Sequence, residues 1–221
     1  MALDWGYGPT NGPNTWPQCY PEAAGQKQSP IDINPVDLKT LNANKKLEWK
    51  YVPENTDDVS NPGYGWKVHV HGHGSGKCYK TLLFGEAAQH PDGLCVLGVF
   101  LKPGKKHDEI EKVVAQLGKI EFKGESTKIF GPLNPALLLP ENSGYYTYQG
   151  SLTTPPCSEC VVWIVFKEPI EVSNEQLTAF RNLKSYCKED SCPCDEFKGY
   201  VKSNFRPTLP VGQREVKECR Q

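Results

Sequence analysis

The chain has 221 residues, 38% hydrophobic and 23% charged, which is enough to bury a substantial core and suits one large domain. Its 25 basic and 26 acidic residues leave a net charge of -1, so no global field draws it to nucleic acid or to an anionic membrane. The longest apolar runs, Cys95 to Leu101 and Cys160 to Phe166, fall far short of the roughly 20 residues of a membrane span.

Nineteen prolines and 20 glycines beside 10 tyrosines and five tryptophans point to many turns joining short strands, a β-rich protein. Nine cysteines suggest disulfides and an oxidising compartment, with at least one thiol left over from the odd count. No basic start followed by an apolar stretch occurs in the first thirty residues, so the expectation is secretion with the leader removed, or a cytoplasmic location as the alternative.

In chain order, residues 1–30 form a turn-rich arm, punctuated by Gly6, Gly8, Pro9, Gly12, Pro13 and Pro17 and pinned by Trp5, Tyr7 and Trp16. Period-2 alternation predicts strands at Ile31–Ile33, Leu47–Val52 and Trp66–His71. The run Gly93–Leu101 is apolar on both faces, as a central strand would be. Asp108–Gln116 reads as a helix, with an acidic start and apolar residues at 110, 113, 114 and 117. Cys160–Phe166 is another buried strand. A second helix starts at the N-cap Ser173 and runs to about Leu183. The fold class is therefore a β-dominated α+β protein, one domain over 1–221 with a large twisted sheet and short peripheral helices.

Three groups of residues are candidates for chemistry. His69, His71 and His73 alternate along a strand, and residues two apart share a face about 6.5 Å apart, close enough for imidazoles to converge on one metal ion. The competing interpretation is a solvated strand end. Thr153 and Thr154 precede Pro155 and Pro156, which fix the backbone and hold the hydroxyls rigidly; an ordinary turn between strands is the alternative. Cys187, Cys192 and Cys194, with Cys219, suggest a loop staple, and they lack the paired C-x-x-C spacing of a zinc site.

Several segments, in order along nearly the whole chain, resemble the α-class carbonic anhydrases. They are Trp5-Gly6-Tyr7-Gly8, Asn11-Gly12-Pro13, Gln28-Ser29-Pro30-Ile31, Pro91-Asp92-Gly93 with Val96–Leu101, Tyr148–Cys157, Trp163, and Asn204-Phe205-Arg206-Pro207. The resemblance implies a zinc lyase, a carbonate dehydratase, in which zinc-bound hydroxide hydrates carbon dioxide reversibly to bicarbonate. It gives Thr153 the part of the hydroxyl that orients the zinc hydroxide and makes Thr154 its neighbour. Val96, Leu152 and Trp163 become the apolar wall that receives carbon dioxide, and Tyr7 a member of the water network. Cys19 and Cys157 match the disulfide of extracellular members.

The chain also departs from that pattern. The family carries two zinc histidines in a His-x-His strand and a third on a neighbouring strand, yet only fifteen residues separate Val68 from Phe84 here. Aligned by chemistry, His69 and His71 mimic the pair, with His73 as the remaining candidate, but the Trp that follows in the family is Gly72. The shuttle histidine is replaced by Tyr64, whose ordinary pKa of about 10 is poorly matched to proton transfer at pH 7. Removing central strands also leaves edges to be re-paired or covered. The expectation is a hydratase whose activity is reduced or lost. A non-catalytic scaffold and an exon-lacking form of an active enzyme are the alternatives.

Overall fold

A computed structural model describes residues 5–41, 47, 56–70, 84–141 and 144–220. The ten strands among the described residues are short: β1 Lys39–Leu41, β2 Thr56–Ser60, β3 Lys67–Val70, β4 Leu94–Gly98, β5 Leu101–Pro103, β6 Ser126–Lys128, β7 Tyr145–Gly150, β8 Val161–Phe166, β9 Ile170–Val172 and β10 Lys217–Cys219. Four α-helices accompany them: α1 Trp16–Cys19, α2 Phe84–Ala87, α3 Asp108–Leu117 and α4 Asn174–Arg181. The molecule is sheet-dominated with few short helices, as the composition implied.

The strands form a five-stranded sheet in the order β1-β10-β7-β8-β4, a three-stranded sheet β3-β2-β6 and a two-stranded sheet β5-β9. The antiparallel pair β7–β8, in register from Tyr145 opposite Phe166 to Gly150 opposite Val161, is the backbone of the larger sheet. Its aromatic and β-branched residues suit a pleat covered on both faces. One face carries Ile31, Tyr148 and Val216, and the other Tyr145, Phe166 and Cys219. The outer pairings β1–β10 and β4–β8 are parallel, so the sheet is mixed.

A separate apolar cluster lies on the three-stranded sheet. Val59 of β2 meets Val113 and Leu117 of α3, with Ile120, Ile129, Leu133, Leu183 and Val201 around them. Among the described residues this cluster shares no member with those of the five-stranded sheet. Both predicted helices form here, for the reasons the sequence offered. His107 caps α3 through Nδ1, three acidic residues occupy its first turn, and Ile110, Val113 and Leu117 are buried on one face. Ser173 and Gln176 make a reciprocal capping box on α4. The buried Gln176 side chain also accepts from the His107 amide at 3.0 Å and donates to the His107 carbonyl at 2.9 Å, tying the two helix starts together.

Some expected strands differ. Ile31–Ile33 makes only an isolated bridge, Ile31 to Leu209, and the preceding Ser29 amide is taken by Ser151 Oγ. Most of Leu47–Val52 lies outside the described residues. The Gly93–Leu101 run divides into β4 and β5. It is not central among the described strands: β4 ends the five-stranded order, and none of its five residues is fully buried.

Candidate active site

The site is held from the arm inward. Trp16, 1% exposed, donates through Nε1 to the carbonyls of Gly6 at 3.2 Å and Asn11 at 3.0 Å, closing the arm on itself. Arg206 lies 5.6 Å from the Trp16 ring and donates to Gln28 Oε1, the Ser29 carbonyl and the Ala23 carbonyl at 2.8, 3.0 and 2.7 Å. Three acceptors on the arm thus converge on one guanidinium. Ser29 and Ser151 then exchange bonds: the Ser29 amide donates to Ser151 Oγ at 2.9 Å and the Ser151 amide to Ser29 Oγ at 3.1 Å. A Cβ at Gly150 would collide with Ser29 Oγ, which is why that position is glycine.

These contacts present the segment Leu152–Cys157. Its ends are closed by the Leu152 amide to the Ser158 carbonyl at 3.1 Å and the Cys157 amide to the Thr154 carbonyl at 2.9 Å, and both peptides around Pro155 and Pro156 are constrained by the rings. Leu152, Thr153 and Thr154 are half-buried at this turn. Trp163 of β8 donates through Nε1 to the Ser151 carbonyl at 3.0 Å and stacks on Tyr148 with ring centroids 6.3 Å apart. Val96 of β4 is the register partner of Trp163, so the two share a face beside the turn. The turn and part of the expected apolar wall are therefore brought to the same end of one sheet.

Tyr7 meets Trp5 and Trp16 edge-on, at 6.1 and 5.6 Å. Burial first, then Tyr64 and Cys157, push its hydroxyl up to about 12, while Arg206 opposes the rise. Tyr7 thus stays a neutral hydroxyl at physiological pH. Tyr64 lies 4.7 Å from Trp5, and its carbonyl accepts from Asn204 Nδ2 at 2.8 Å. Tyr7 and Tyr64 are assembled beside the turn through the aromatic arm, by contacts that the short motifs hinted at but did not specify. Gln28, Ser29 and Arg206 entered the sequence reading only as motif letters; their role as the clamp on Ser151 and the arm emerges from contacts more than 100 residues apart.

The histidines are not assembled with them. Val68 of β3 is the partner of Val59 and packs on the three-stranded sheet's core, so alternation puts His69 on the opposite face. There its Nε2 lies 3.3 Å from Ser60 Oγ. His69 belongs to a different sheet from Val96 and Trp163. His71 and His73 lie outside the described residues. Among the described residues no group of three or more His, Cys, Asp or Glu side chains is placed to hold a metal ion. Among the described residues His69 is thus a single candidate, where zinc takes at least three such ligands.

The cysteine expectation is also corrected. Cys19 and Cys157 are free thiols, the first exposed and the second buried, and no disulfide joins them. Cys157 packs against Trp16 and Ala23, so an apolar contact occupies the place beside it where the bond to Cys19 was expected. Burial pushes the Cys157 thiol up, with Arg206 pulling against the rise. Cys219 stands in β10, buried against Tyr145 and Phe166, apart from the 187–194 loop it was grouped with.

Comparison with known proteins places this arrangement. The model of the eukaryotic-type carbonic anhydrases matches residues 11–81 and 75–220. The chain belongs to the eukaryotic-type carbonic anhydrase family. It is 34% identical over 265 residues to carbonic anhydrase 3 of Sus scrofa and 33% identical over 263 residues to carbonic anhydrase 3 of Mus musculus, covering 98% of each chain in both comparisons. Setting 265 aligned positions against a chain of 221 residues leaves at least 44 positions of this carbonic anhydrase comparison without a residue here.

Proposed function

We propose that this carbonic anhydrase family member keeps the scaffold and the turn of the site but hydrates carbon dioxide weakly or not at all. The observation that carries the reading is the separation of His69 from the Thr153 turn, into another sheet and onto a face where Ser60 is its neighbour. The aligned relatives support it, since the positions without a counterpart here are numerous, and the family match breaks into two segments that meet at 75–81. That break falls within the short stretch between β3 and α2.

In this reading Val96, Leu152 and Trp163 are the remnant of a wall for carbon dioxide, and Thr153, Thr154, Tyr7 and Tyr64 are polar groups around it. Tyr7, with its proton held to high pH, can donate to water or bicarbonate but cannot act as a base at pH 7. The free thiols of Cys19 and Cys157, the pair expected to form the disulfide of extracellular members, support the cytoplasmic alternative over secretion. A scaffold without catalysis and an exon-lacking form of an active enzyme both accord with the missing positions.

Stopped-flow hydration of carbon dioxide, with and without an aromatic sulfonamide, tests the proposal. The expected rate is the uncatalysed background, unchanged by sulfonamide. Inhibitable hydration well above background would contradict it.

A further inference from the structure

We propose that a groove between α4 and the segment preceding β3 binds a small aromatic anion, a carboxylate or sulfonate on a ring system. The groove encloses about 490 Å³, within the range of roughly 300–1,000 Å³ common to small-molecule sites. Its described lining includes Tyr64 but not Thr153, Leu152 or Trp163, so it meets the family site only at that tyrosine.

The walls supply the aromatic preference. Trp66 and Phe180 face each other with ring centroids 5.6 Å apart and planes inclined by 33°. Leu177, one turn earlier on α4, and Leu101 of β5 extend the apolar surface. Trp66 and Phe180 pack on the α3 core yet stay only partly covered, Leu177 is half-buried and Leu101 is 38% exposed. A flat apolar guest laid against the uncovered surface of this ring pair would remove that surface from water. Asn204, by donating to the Tyr64 carbonyl at 2.8 Å, holds the far wall in place.

The rim supplies the charge preference. Arg181, in the last turn of α4, and Lys202 both line the groove and are exposed. Neither forms an ion pair among the described residues, in contrast to Lys102, Lys106, Lys112 and Lys167, which do. Two cations at the mouth of an apolar groove, on a chain of net charge -1, are complementary to one anionic head on an apolar body. The site requires no metal, so it stands or falls separately from the hydratase reading.

The test is calorimetric and tryptophan-fluorescence titration of the full chain with 2-naphthoate and with its neutral counterpart 2-naphthylmethanol. One saturable site per chain is expected, with the anion bound about tenfold more tightly than the alcohol. The surface variant R181A/K202A should fold normally by circular dichroism and bring the anion down to the affinity of the alcohol. Leu177→Trp, which fills the groove, should abolish both. Absence of saturable binding, equal affinity for the two probes in the native chain, or naphthoate binding that survives Leu177→Trp would overturn the proposal.

Discussion

The arm with its Thr153 turn and the flank formed by β3 and β4 are built to different standards. In the first, Trp16, Ser29, Ser151 and Cys157 are at most 1% exposed, and one arginine satisfies three acceptors on the arm. In the second, no residue of β4 is fully buried, Cys95 is exposed, and Trp66 and Val68 are only partly covered. The thinly covered strands are the ones that flank the break in the family match at residues 75–81. The contacts that present the hydroxyl turn are complete, while the strands on either side of residues 71–83 border the poorly covered ground.

The largest effect that could break this comparison is at Arg206. Arg206→Ala leaves Gln28 Oε1 and two buried carbonyls without their donor and opens space below Trp16, so urea denaturation should show a loss of about 3 kcal/mol or more. A loss within experimental error would mean that the arm is not clamped as described. Next come two identical truncations on adjacent strands. Val161→Ala in β8, where the side chain is fully buried, should cost about 2 kcal/mol, whereas Val96→Ala in β4 should cost under about 1 kcal/mol. Equal costs would erase the contrast between the two regions.

A smaller change is expected at the α4 cap. Ser173→Ala removes one half of the capping box and should lower stability by about 1 kcal/mol, without changing carbon dioxide hydration. The smallest effect at neutral pH concerns Tyr7. Its folded-state value near 12 lies above the unfolded value of about 10, so the unfolded chain loses this proton first. Stability from this group is therefore intact below pH 10 and is lost as pH rises from about 10 to 12. Tyr7→Phe should flatten that part of the alkaline unfolding curve, in which Tyr145, likewise pushed up to about 12, remains.

Much of this was legible because it is local. The caps of α3 and α4 follow from His107, Ser173 and Gln176 within one turn of chain, and β8 follows from six consecutive apolar residues. The three-residue strands β5, β6, β9 and β10 carry too little pattern to be read, since each exists only through its distant partner. Alternation along β3 could not say which of its faces meets the core; the pairing of Val68 with Val59 decides that and leaves His69 on the other face. The apolar composition of β4 suggested a central strand, and the structure puts it last among its described neighbours. That mismatch between composition and place accompanies the 44 or more unmatched positions of the family alignment.

The central proposal, that this family member holds no stable zinc centre, is tested most directly by metal content. Purified full-length chain, loaded with excess zinc and then dialysed, should retain far less than one zinc per molecule by plasma mass spectrometry. Retention of one zinc per chain would contradict the account.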